Sequence, residues 1–178
     1  MEIYLTRHTS VAVAPGTCYG ATDVPLASSF AEEAAVVRAR LAGIAFDEVW
    51  SSPSTRALRL ARFCGWPDPQ QDSRLAELDF GAWEMRRYDE IDDPRLQEWY
   101  DDYLHVRTTG GESFEDQYRR VASFLDQLRR LPLKRAALFT HGGVLRCARV
   151  HAGLCPFEEA FSESFAYGET IRIDLDPR

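Results

Sequence analysis

Short apolar runs that alternate with amphipathic stripes restrict the fold of this chain more than any other feature. The run Ile3-Tyr4-Leu5 predicts a first buried strand, and the runs at 46–51 and 135–140 predict two more. Helices are predicted to begin after Ser29 and after Ser113, because each serine stands three residues before an acidic side chain, the spacing of a capping box. Alternating strands and helices favour a mostly parallel sheet with helices on both faces. We therefore predict an α/β fold, a three-layer α/β/α sandwich.

Local signals predict three further elements. Pro53 suits the first position of a helix, with Ser52 as its N-cap. The tripeptide His141-Gly142-Gly143 predicts a turn after the strand at 135–140, followed by a helix over 144–152. Alternating polar and apolar residues over 169–175 predict the last strand.

The length of the chain indicates one domain. With 178 residues and 45% hydrophobic content, residues 1–178 can bury one substantial core, and no linker or repeat divides them. The segment at about 84–112 is rich in acidic and aromatic residues and is broken by Pro94, so we predict short helices in an insertion that could act as a lid. The loop over 9–25 directly follows a strand, a position in which long loops are often functional.

Charge and hydropathy argue against several classes of protein. The net charge of −7 disfavours nucleic-acid binding, which usually needs a basic face. No apolar run approaches the ~20 residues of a membrane-spanning helix, and the amino terminus shows no signal-peptide pattern. The four cysteines form neither a CxxC pair nor a disulfide framework, so a reduced, cytoplasmic location is expected. A monomer and a homodimer both remain open.

Polar side chains stand near the ends of the predicted strands. Arg7 and His8 close the first strand, Arg56 follows the second, and His141 follows the strand at 135–140. Glu77 lies in an irregular segment between these last two. Ligands of open α/β sheets bind at the carboxyl ends of the strands. We therefore predict that these five side chains converge on a space the size of one phosphate.

The same residue types match the parts of a phosphate-transferring site. A neutral ring nitrogen of His8 can attack phosphorus and form a covalent phosphohistidine. Arg7 and Arg56 offer planar sets of donors to the phosphate oxygens, and His141 can add another. Glu77 can protonate the leaving oxygen and later take a proton from water. Each residue alone has an ordinary explanation, as a helix cap, a solvated arginine or an exposed carboxylate, and only their joint occurrence indicates catalysis.

Other chemistries have less support. Cys147, His151 and Cys155 share one face of a predicted helix and could suggest zinc, but three such ligands without a fourth are more often the packed side of a helix. No phosphate-binding glycine loop, dinucleotide fingerprint, zinc-protease motif or nucleophile elbow occurs.

Four motifs resemble those of the histidine phosphatase superfamily, the phosphoglycerate-mutase-like group, and together they span essentially the whole chain. They are Arg7-His8-Thr9, Ser51-Ser52-Pro53-Ser54-Thr55-Arg56-Ala57, Glu77 before Phe80-Gly81-Ala82-Trp83-Glu84, and His141-Gly142-Gly143. The resemblance implies a phosphoglycerate-mutase-like fold, with His8 phosphorylated and Glu77 as the proton donor. It also implies that Arg7, Arg56 and His141 form the phosphate pocket. It implies no metal and no organic cofactor.

Five more residues in or beside these motifs are expected to contact substrate: Thr9, Tyr19, Gly20, Glu84 and Gly142. Two positions depart from the pattern of the superfamily, because threonine replaces the usual glycine at position 9 and Met85 stands where many relatives have glycine.

Within the superfamily, Arg7-His8-Thr9 followed by the loop over 16–26 is similar to α-ribazole phosphatases. Those enzymes remove the 5′-phosphate from α-ribazole phosphate in the assembly of the nucleotide loop of cobalamin. We therefore expect a phosphomonoester hydrolase that acts on a small phosphorylated metabolite. A broad-specificity sugar-phosphate or phosphoglycerate phosphatase and a mutase are alternatives on the same site. A catalytically silent phospho-ligand or protein-binding module is the alternative of another class, and the intact motif residues count against it.

Overall fold

A five-stranded sheet forms the centre of the structure, a computed structural model that describes residues 1–176. The strands are β1 (Glu2–Arg7), β2 (Glu48–Ser51), β3 (Gln70–Gln71), β4 (Arg135–Thr140) and β5 (Thr170–Asp174), in the order β3-β2-β4-β1-β5. β5 runs antiparallel to β1, and the other neighbouring pairs are parallel. The prediction of an α/β fold with a mostly parallel sheet is confirmed.

Five α-helices accompany the sheet in residues 1–176: α1 (Phe30–Leu41), α2 (Thr55–Phe63), α3 (Arg95–Asp101), α4 (Phe114–Leu128) and α5 (Gly142–His151). Short 3₁₀ turns occupy 73–75, 81–83, 88–90 and 157–159. In this described part of the chain, no helix combines the length and the apolar character needed to cross a membrane.

The central strand β4 shows why helices cover both faces of the sheet. Ala137 and Phe139 pack into one apolar cluster with α1 and α2. Ala136 and Leu138 pack into a second cluster with α4 and α5. Because successive side chains of a strand point to opposite faces, both faces of β4 must be apolar, which explains the unbroken apolar run at 136–139. The predicted three layers are confirmed.

The two predicted capping boxes have different outcomes. At the start of α4 the Ser113 hydroxyl accepts from the Asp116 amide at 3.2 Å, and the Asp116 carboxylate accepts from the Ser113 amide at 3.0 Å, so this box is confirmed. The box predicted at Ser29 is wrong. The Ser29 hydroxyl instead donates to Glu33 at 2.6 Å, and the same carboxylate accepts from the Ser10 amide at 2.8 Å. That carboxylate therefore ties the loop after β1 to α1.

Two helices begin at other residues than predicted. α2 starts at Thr55 with Ser54 as its N-cap residue, and not at Pro53. The hydroxyl of Ser52, the predicted cap, lies 2.8 Å from His141 Nε2, and its oxygen also accepts from the Ser54 amide at 3.3 Å, just before the helix. α5 starts at Gly142, so the two glycines form the first turn of the helix and not a separate turn before it.

The predicted insertion over 84–112 contains α3 and a 3₁₀ turn, as its composition indicated. It packs through aromatic rings, because Trp99 of α3 lies 5.8 Å from the buried Trp83 and 6.1 Å from Phe80, measured between ring centroids. The strand β3 was not predicted, since two glutamines at a sheet edge carry no apolar pattern. The last strand lies within the predicted range 169–175.

The strand register brings three chain segments to one edge of the sheet. Arg7 at the end of β1 pairs with Thr140 at the end of β4, and the His8 amide donates to the Thr140 carbonyl at 2.9 Å. The Ser52 amide donates to the Phe139 carbonyl at 2.9 Å, which aligns the end of β2 with the same edge. The residues that follow β1, β2 and β4 are therefore neighbours in space.

Candidate active site

A cavity of about 370 Å³ lies at this edge of the sheet. Five of the residues that the sequence assigned to the site line it: Arg7, His8, Tyr19, Glu77 and Gly142. Much of the remaining wall is aromatic: Phe80, Tyr88, Trp99, Tyr103, Phe114, Phe161 and Phe165. The cavity thus has a polar end with titratable groups and a larger apolar end.

His8 lines the polar end of the cavity, and the ring of His141 faces that of His8, although neither His141 nor Arg56 is among the lining residues. The ring centroids of the two histidines are 5.2 Å apart, and both residues are buried. His8 Nδ1 lies 2.8 Å from the Thr9 carbonyl oxygen. Because that carbonyl can only accept, Nδ1 carries the proton, and Nε2 keeps its lone pair. Burial holds the pKa of His8 well below 6.5, and His141 and Arg56 add to the effect, so the ring is a neutral nucleophile.

His141 has a defined partner on only one side of its ring. Its Nε2 lies 2.8 Å from the Ser52 hydroxyl, while its Nδ1 is buried with no hydrogen-bond partner in the described part of the chain. Burial lowers the pKa of His141 well below 6.5, and Arg56 lowers it further. The ring is therefore neutral, and when the Ser52 hydroxyl donates to Nε2, the proton at Nδ1 is free for a ligand.

Arg56 is fully buried, which rejects its interpretation as a solvated arginine. Its Nη1 donates to the Thr22 carbonyl at 2.9 Å, and its Nη2 donates to the Gly20 carbonyl. The Asp23 carboxylate lies 3.6 Å from Nη1. A side chain at position 20 would meet the Leu78 carbonyl at 1.9 Å, so the loop can approach this closely only with glycine there.

Arg7 is held by the segment that precedes β5. Its Nη1 donates to the Phe165 carbonyl, and its guanidinium carbon lies 4.0 Å from the centroid of the Tyr167 ring. The two arginines are thus held by backbone carbonyls and aromatic rings, with no carboxylate salt bridge to Arg7 in residues 1–176.

Glu77 is held by three N–H groups at the same end of the cavity. Its Oε1 accepts from the Leu78 amide at 3.0 Å and from Gln117 Nε2 at 2.9 Å, and its Oε2 accepts from the Gly143 amide at 3.2 Å. Oε1 is therefore fully engaged, while Oε2 keeps capacity for a transferred proton. Because it donates to Oε2, the Gly143 amide is directed at the Glu77 carboxylate.

Glu84 occupies a different place from the one expected of a substrate contact. Its carboxylate accepts hydrogen bonds from four backbone amides, those of Gly20, Ala21, Thr22 and Phe80, at 3.0–3.3 Å. It is not among the residues that line the cavity. Glu84 therefore organises the loop that holds Arg56, and the structure separates it from Glu77, which reaches the hollow.

The other four residues predicted to contact substrate also differ in whether they line the cavity. Gly142 and Tyr19 line the cavity, whereas Thr9 and Gly20 are not among its lining residues. Thr9 is fully buried and supplies the carbonyl that orients His8, and its hydroxyl has no partner within residues 1–176. Gly20 supplies a carbonyl to Arg56.

Buried polar atoms without a partner concentrate in this site. Residues 1–176 contain six buried side-chain N or O atoms with no hydrogen-bond partner: Arg7 Nε, Thr9 Oγ1, Arg56 Nε, Trp99 Nε1, Arg129 Nε and His141 Nδ1. Four of the six belong to residues that the sequence assigned to the site. Buried groups of this kind are uncommon in proteins and call for an explanation, such as a ligand.

Sequence reasoning missed several residues of the site. Gln117 carried a usable signal, because it is a buried polar residue on the apolar stripe of α4, four residues before Val121. Arg146, Phe161 and Tyr167 stand in segments without a recognisable motif, and only the fold brings them to the site.

Two of the three residues considered for zinc, Cys147 and His151, have other surroundings. Cys147 is fully buried in the core cluster, and His151 lies 3.0 Å from Arg129 and 3.4 Å from Asp126. No group of three or more histidine, cysteine, aspartate or glutamate side chains in residues 1–176 is placed to hold a metal ion.

The sheet, the facing histidines and the paired arginines define a phosphate-handling α/β protein. The profile of the histidine phosphatase superfamily (branch 1) matches residues 3–178, and the chain belongs to this family. The predictions of the superfamily, of its fold and of a phosphatase are confirmed.

The individual relatives include both α-ribazole phosphatases and probable phosphoglycerate mutases. The chain is 30% identical over 154 residues to adenosylcobalamin/α-ribazole phosphatase of Escherichia coli K12, covering 82% of this chain and 75% of the relative. It is 31% identical over 157 residues to the probable phosphoglycerate mutase GpmB of Salmonella choleraesuis, covering 83% and 72%. A crystal structure of a putative α-ribazole-5′-P phosphatase from E. coli matches with a TM-score of 0.91 and 27% identity, over 99% of this chain and 91% of that one.

Proposed function

We propose that this protein hydrolyses phosphomonoesters through a covalent phosphohistidine on His8. The observation that carries the proposal is a set of three buried nitrogens without acceptors on residues of this site: Arg7 Nε, Arg56 Nε and His141 Nδ1. Each buried, unsatisfied donor costs about 1–3 kcal/mol. The oxygens of one phosphoryl group would satisfy several of them together, so binding energy is gained where charge develops in the transition state.

The first step is attack of the His8 Nε2 lone pair on phosphorus. The bond from phosphorus to the ester oxygen breaks, and that oxygen takes the proton carried by Glu77 Oε2. In the second step the Glu77 carboxylate removes a proton from water, and the water oxygen attacks the phosphohistidine. Inorganic phosphate leaves, the lone pair returns to His8, and Glu77 is again protonated.

We further propose α-ribazole 5′-phosphate as the substrate. The named relatives support this choice, and so does the shape of the site. A volume of about 370 Å³ exceeds what one phosphoryl group fills, and the surplus is bounded by flat rings. Aromatic walls favour a flat, apolar leaving group through stacked and edge-on contacts.

A phosphoglycerate phosphatase or mutase is the second candidate. Arg146 lines the same cavity and lies 4.6 Å from the centroid of the Phe161 ring, so the leaving-group side contains a cation that a carboxylate could meet. The GpmB relatives agree with this alternative. The silent binding module has no comparable support, because all five predicted catalytic residues are present.

The cellular setting is part of the proposal. All four cysteines are unpaired, which suits a reducing cytoplasm. We expect a monomer or a homodimer that acts on a small phosphorylated metabolite and binds neither nucleic acid nor membrane.

A phosphate-transfer assay tests the nucleophile. The protein is incubated with ³²P-labelled substrate and quenched in alkali, since phosphohistidine is stable to alkali and labile to acid. His8→Ala should abolish both turnover and labelling. His105→Ala is the matched control, because that histidine is half exposed, pairs with Asp102 at 2.9 Å and is not among the residues that line the cavity. Near-normal turnover in His8→Ala would reject the assignment.

A substrate panel then decides the specificity. The values of kcat/KM for α-ribazole 5′-phosphate, 3-phosphoglycerate, fructose bisphosphate and mononucleotides express the discrimination directly. A value for α-ribazole 5′-phosphate below that for 3-phosphoglycerate would favour the second candidate.

A further inference from the structure

Backbone hydrogen bonds fix Tyr167 beside the two residues that end β1. The Arg7 amide donates to the Glu169 carbonyl at 2.9 Å, and the Gly168 amide donates to the His8 carbonyl at 3.1 Å. Gly168 has a φ of +69°, a conformation that glycine adopts without strain. The chain before β5 therefore reaches the site in a defined register, and Tyr167 is placed by it.

The ring of Tyr167 contacts both of these residues. Its centroid lies 4.0 Å from the guanidinium carbon of Arg7 and 5.6 Å from the centroid of the His8 ring. At 4.0 Å the cation lies within the range in which an aromatic face attracts it. The ring thus limits where the Arg7 guanidinium can lie relative to the nucleophile.

The hydroxyl of Tyr167 connects it to a second tyrosine. Tyr167 Oη and Tyr19 Oη are 2.8 Å apart, across a sequence separation of 148 residues. The Tyr19 ring centroid in turn lies 5.8 Å from the guanidinium carbon of Arg56. Each tyrosine therefore contacts one of the two phosphate-binding arginines, and one hydrogen bond joins the pair.

We propose that Tyr167 is a positioning residue for Arg7, and that its hydrogen bond to Tyr19 couples the two arginines of the phosphate pocket. This inference rests on the proposed function, because it takes Arg7 and Arg56 to be phosphate-binding residues. Tyr167 acts through Arg7, because it is not among the residues that line the cavity.

The Tyr19 hydroxyl is protonated at neutral pH, so it can take part in the hydrogen bond to Tyr167. Burial raises the pKa of the Tyr19 hydroxyl, and the neighbouring Tyr167 hydroxyl raises it further, so the phenol keeps its proton at neutral pH. Two phenols have two hydroxyl hydrogens, and their mutual bond uses one of them.

An ordinary explanation is that an exposed tyrosine covers the end of the sheet and contributes only to folding. Because Tyr167 is 39% exposed, the protein should still fold when this residue is substituted. Measurements on such variants can therefore distinguish the two explanations. A packing role changes the melting temperature and leaves phosphate affinity unchanged. A positioning role changes phosphate affinity at constant melting temperature.

The experiment measures the dissociation constant of inorganic phosphate by isothermal titration calorimetry, together with KM and kcat for p-nitrophenyl phosphate. Tyr167→Leu removes the ring, and Tyr167→Phe keeps the ring but removes the hydroxyl. Tyr19→Phe and the double phenylalanine variant test the coupling. Tyr118→Leu is the control, because Tyr118 packs on Phe157 outside the cavity.

Tyr167→Leu should weaken phosphate binding and raise KM about tenfold, with a smaller change in kcat. Tyr167→Phe should weaken phosphate binding only about threefold, since the contact between the ring and Arg7 remains. The double phenylalanine variant should be no weaker than either single one, because both changes break the same bond. A phosphate affinity of Tyr167→Leu within twofold of the wild type would overturn the positioning role. If the losses of affinity in the two single phenylalanine variants multiply in the double variant, the coupling would be overturned. Phosphate binding needs no turnover, so an inactive wild type that still shows these shifts would refute the proposed function and leave this inference standing.

Discussion

Adding one methyl group to Gly143 tests the position of the proton donor. A Cβ atom built at position 143 lies 2.3 Å from Glu77 Oε1 and 2.6 Å from the side-chain oxygen of Gln117. Ordinary contacts begin at 3.4 Å, so the Glu77 carboxylate must move in Gly143→Ala. The neighbouring Gly142→Ala is the matched control, because its Cβ would meet Arg7 at 3.5 Å, an ordinary contact.

The size of the effect follows from that displacement. The carboxylate must shift by about 1 Å, and a misplacement of this size costs about 10²-fold in rate, or about 2.7 kcal/mol. The loss should appear with alkyl phosphates, whose leaving oxygen needs a proton, and should be several-fold smaller with p-nitrophenyl phosphate. Replacing glycine by alanine in a helix stabilises it by up to about 1 kcal/mol, so neither variant should fail to fold for helical reasons.

The assay compares kcat/KM of both variants on an alkyl phosphate and on p-nitrophenyl phosphate, with melting temperatures measured in parallel. Gly142→Ala should affect both substrates to the same extent, because its Cβ would meet Arg7 and not the proton donor. The reasoning is refuted if Gly143→Ala retains full activity on the alkyl ester, or if both variants lose activity equally.

Three further outcomes are expected. Glu77→Gln should lower kcat/KM by about 10²–10⁴-fold for alkyl phosphates and far less for p-nitrophenyl phosphate, and equal losses would remove Glu77 as the acid. Turnover should persist in excess chelator, because the nucleophile and the anion-binding groups are side chains of the chain itself; a loss that Mg²⁺ restores would indicate another mechanism. Burial lowers the pKa of His8 and His141 well below 6.5, so the unfolded chain takes up protons as the pH falls below 6.5 while the folded chain does not. The melting temperature should therefore fall through that range, more steeply in the wild type than in His141→Asn, and equal slopes would contradict neutral imidazoles in the fold.

The order of strands and helices and the position of the site were predictable from the sequence for a physical reason. Side chains at the carboxyl ends of parallel strands share one edge of the sheet, so Arg7, His8 and His141 had to be neighbours once the strands were identified. The burial of β4 on both of its faces was visible in the sequence as the unbroken apolar run at 136–139. These features depend on local sequence and on general sheet geometry.

The roles of the two carboxylates were not predictable in the same way. Glu77 and Glu84 stand seven residues apart in one irregular segment, and nothing in their neighbours distinguishes a group aimed at the hollow from one that binds backbone amides. The difference depends on the close approach of the loop at Gly20, a contact across about 60 residues of sequence. Tyr167 was missed for the same reason, because its partners lie at the other end of the chain.

The electrostatic balance of the hollow links its structure to its chemistry. With both imidazoles neutral and with Glu77 carrying the proton that it donates in the first step, the guanidinium groups of Arg7, Arg56 and Arg146 meet no ionised carboxylate among the residues that line the cavity, although the whole chain carries −7. Removing an arginine from water costs several kcal/mol, and backbone carbonyls with the half-exposed Asp23 offset only part of that for Arg56. A phosphoryl dianion supplies the missing negative charge. Because the histidines stay neutral, the ligand's charge is balanced by the arginines, and His8 keeps the lone pair that the reaction needs.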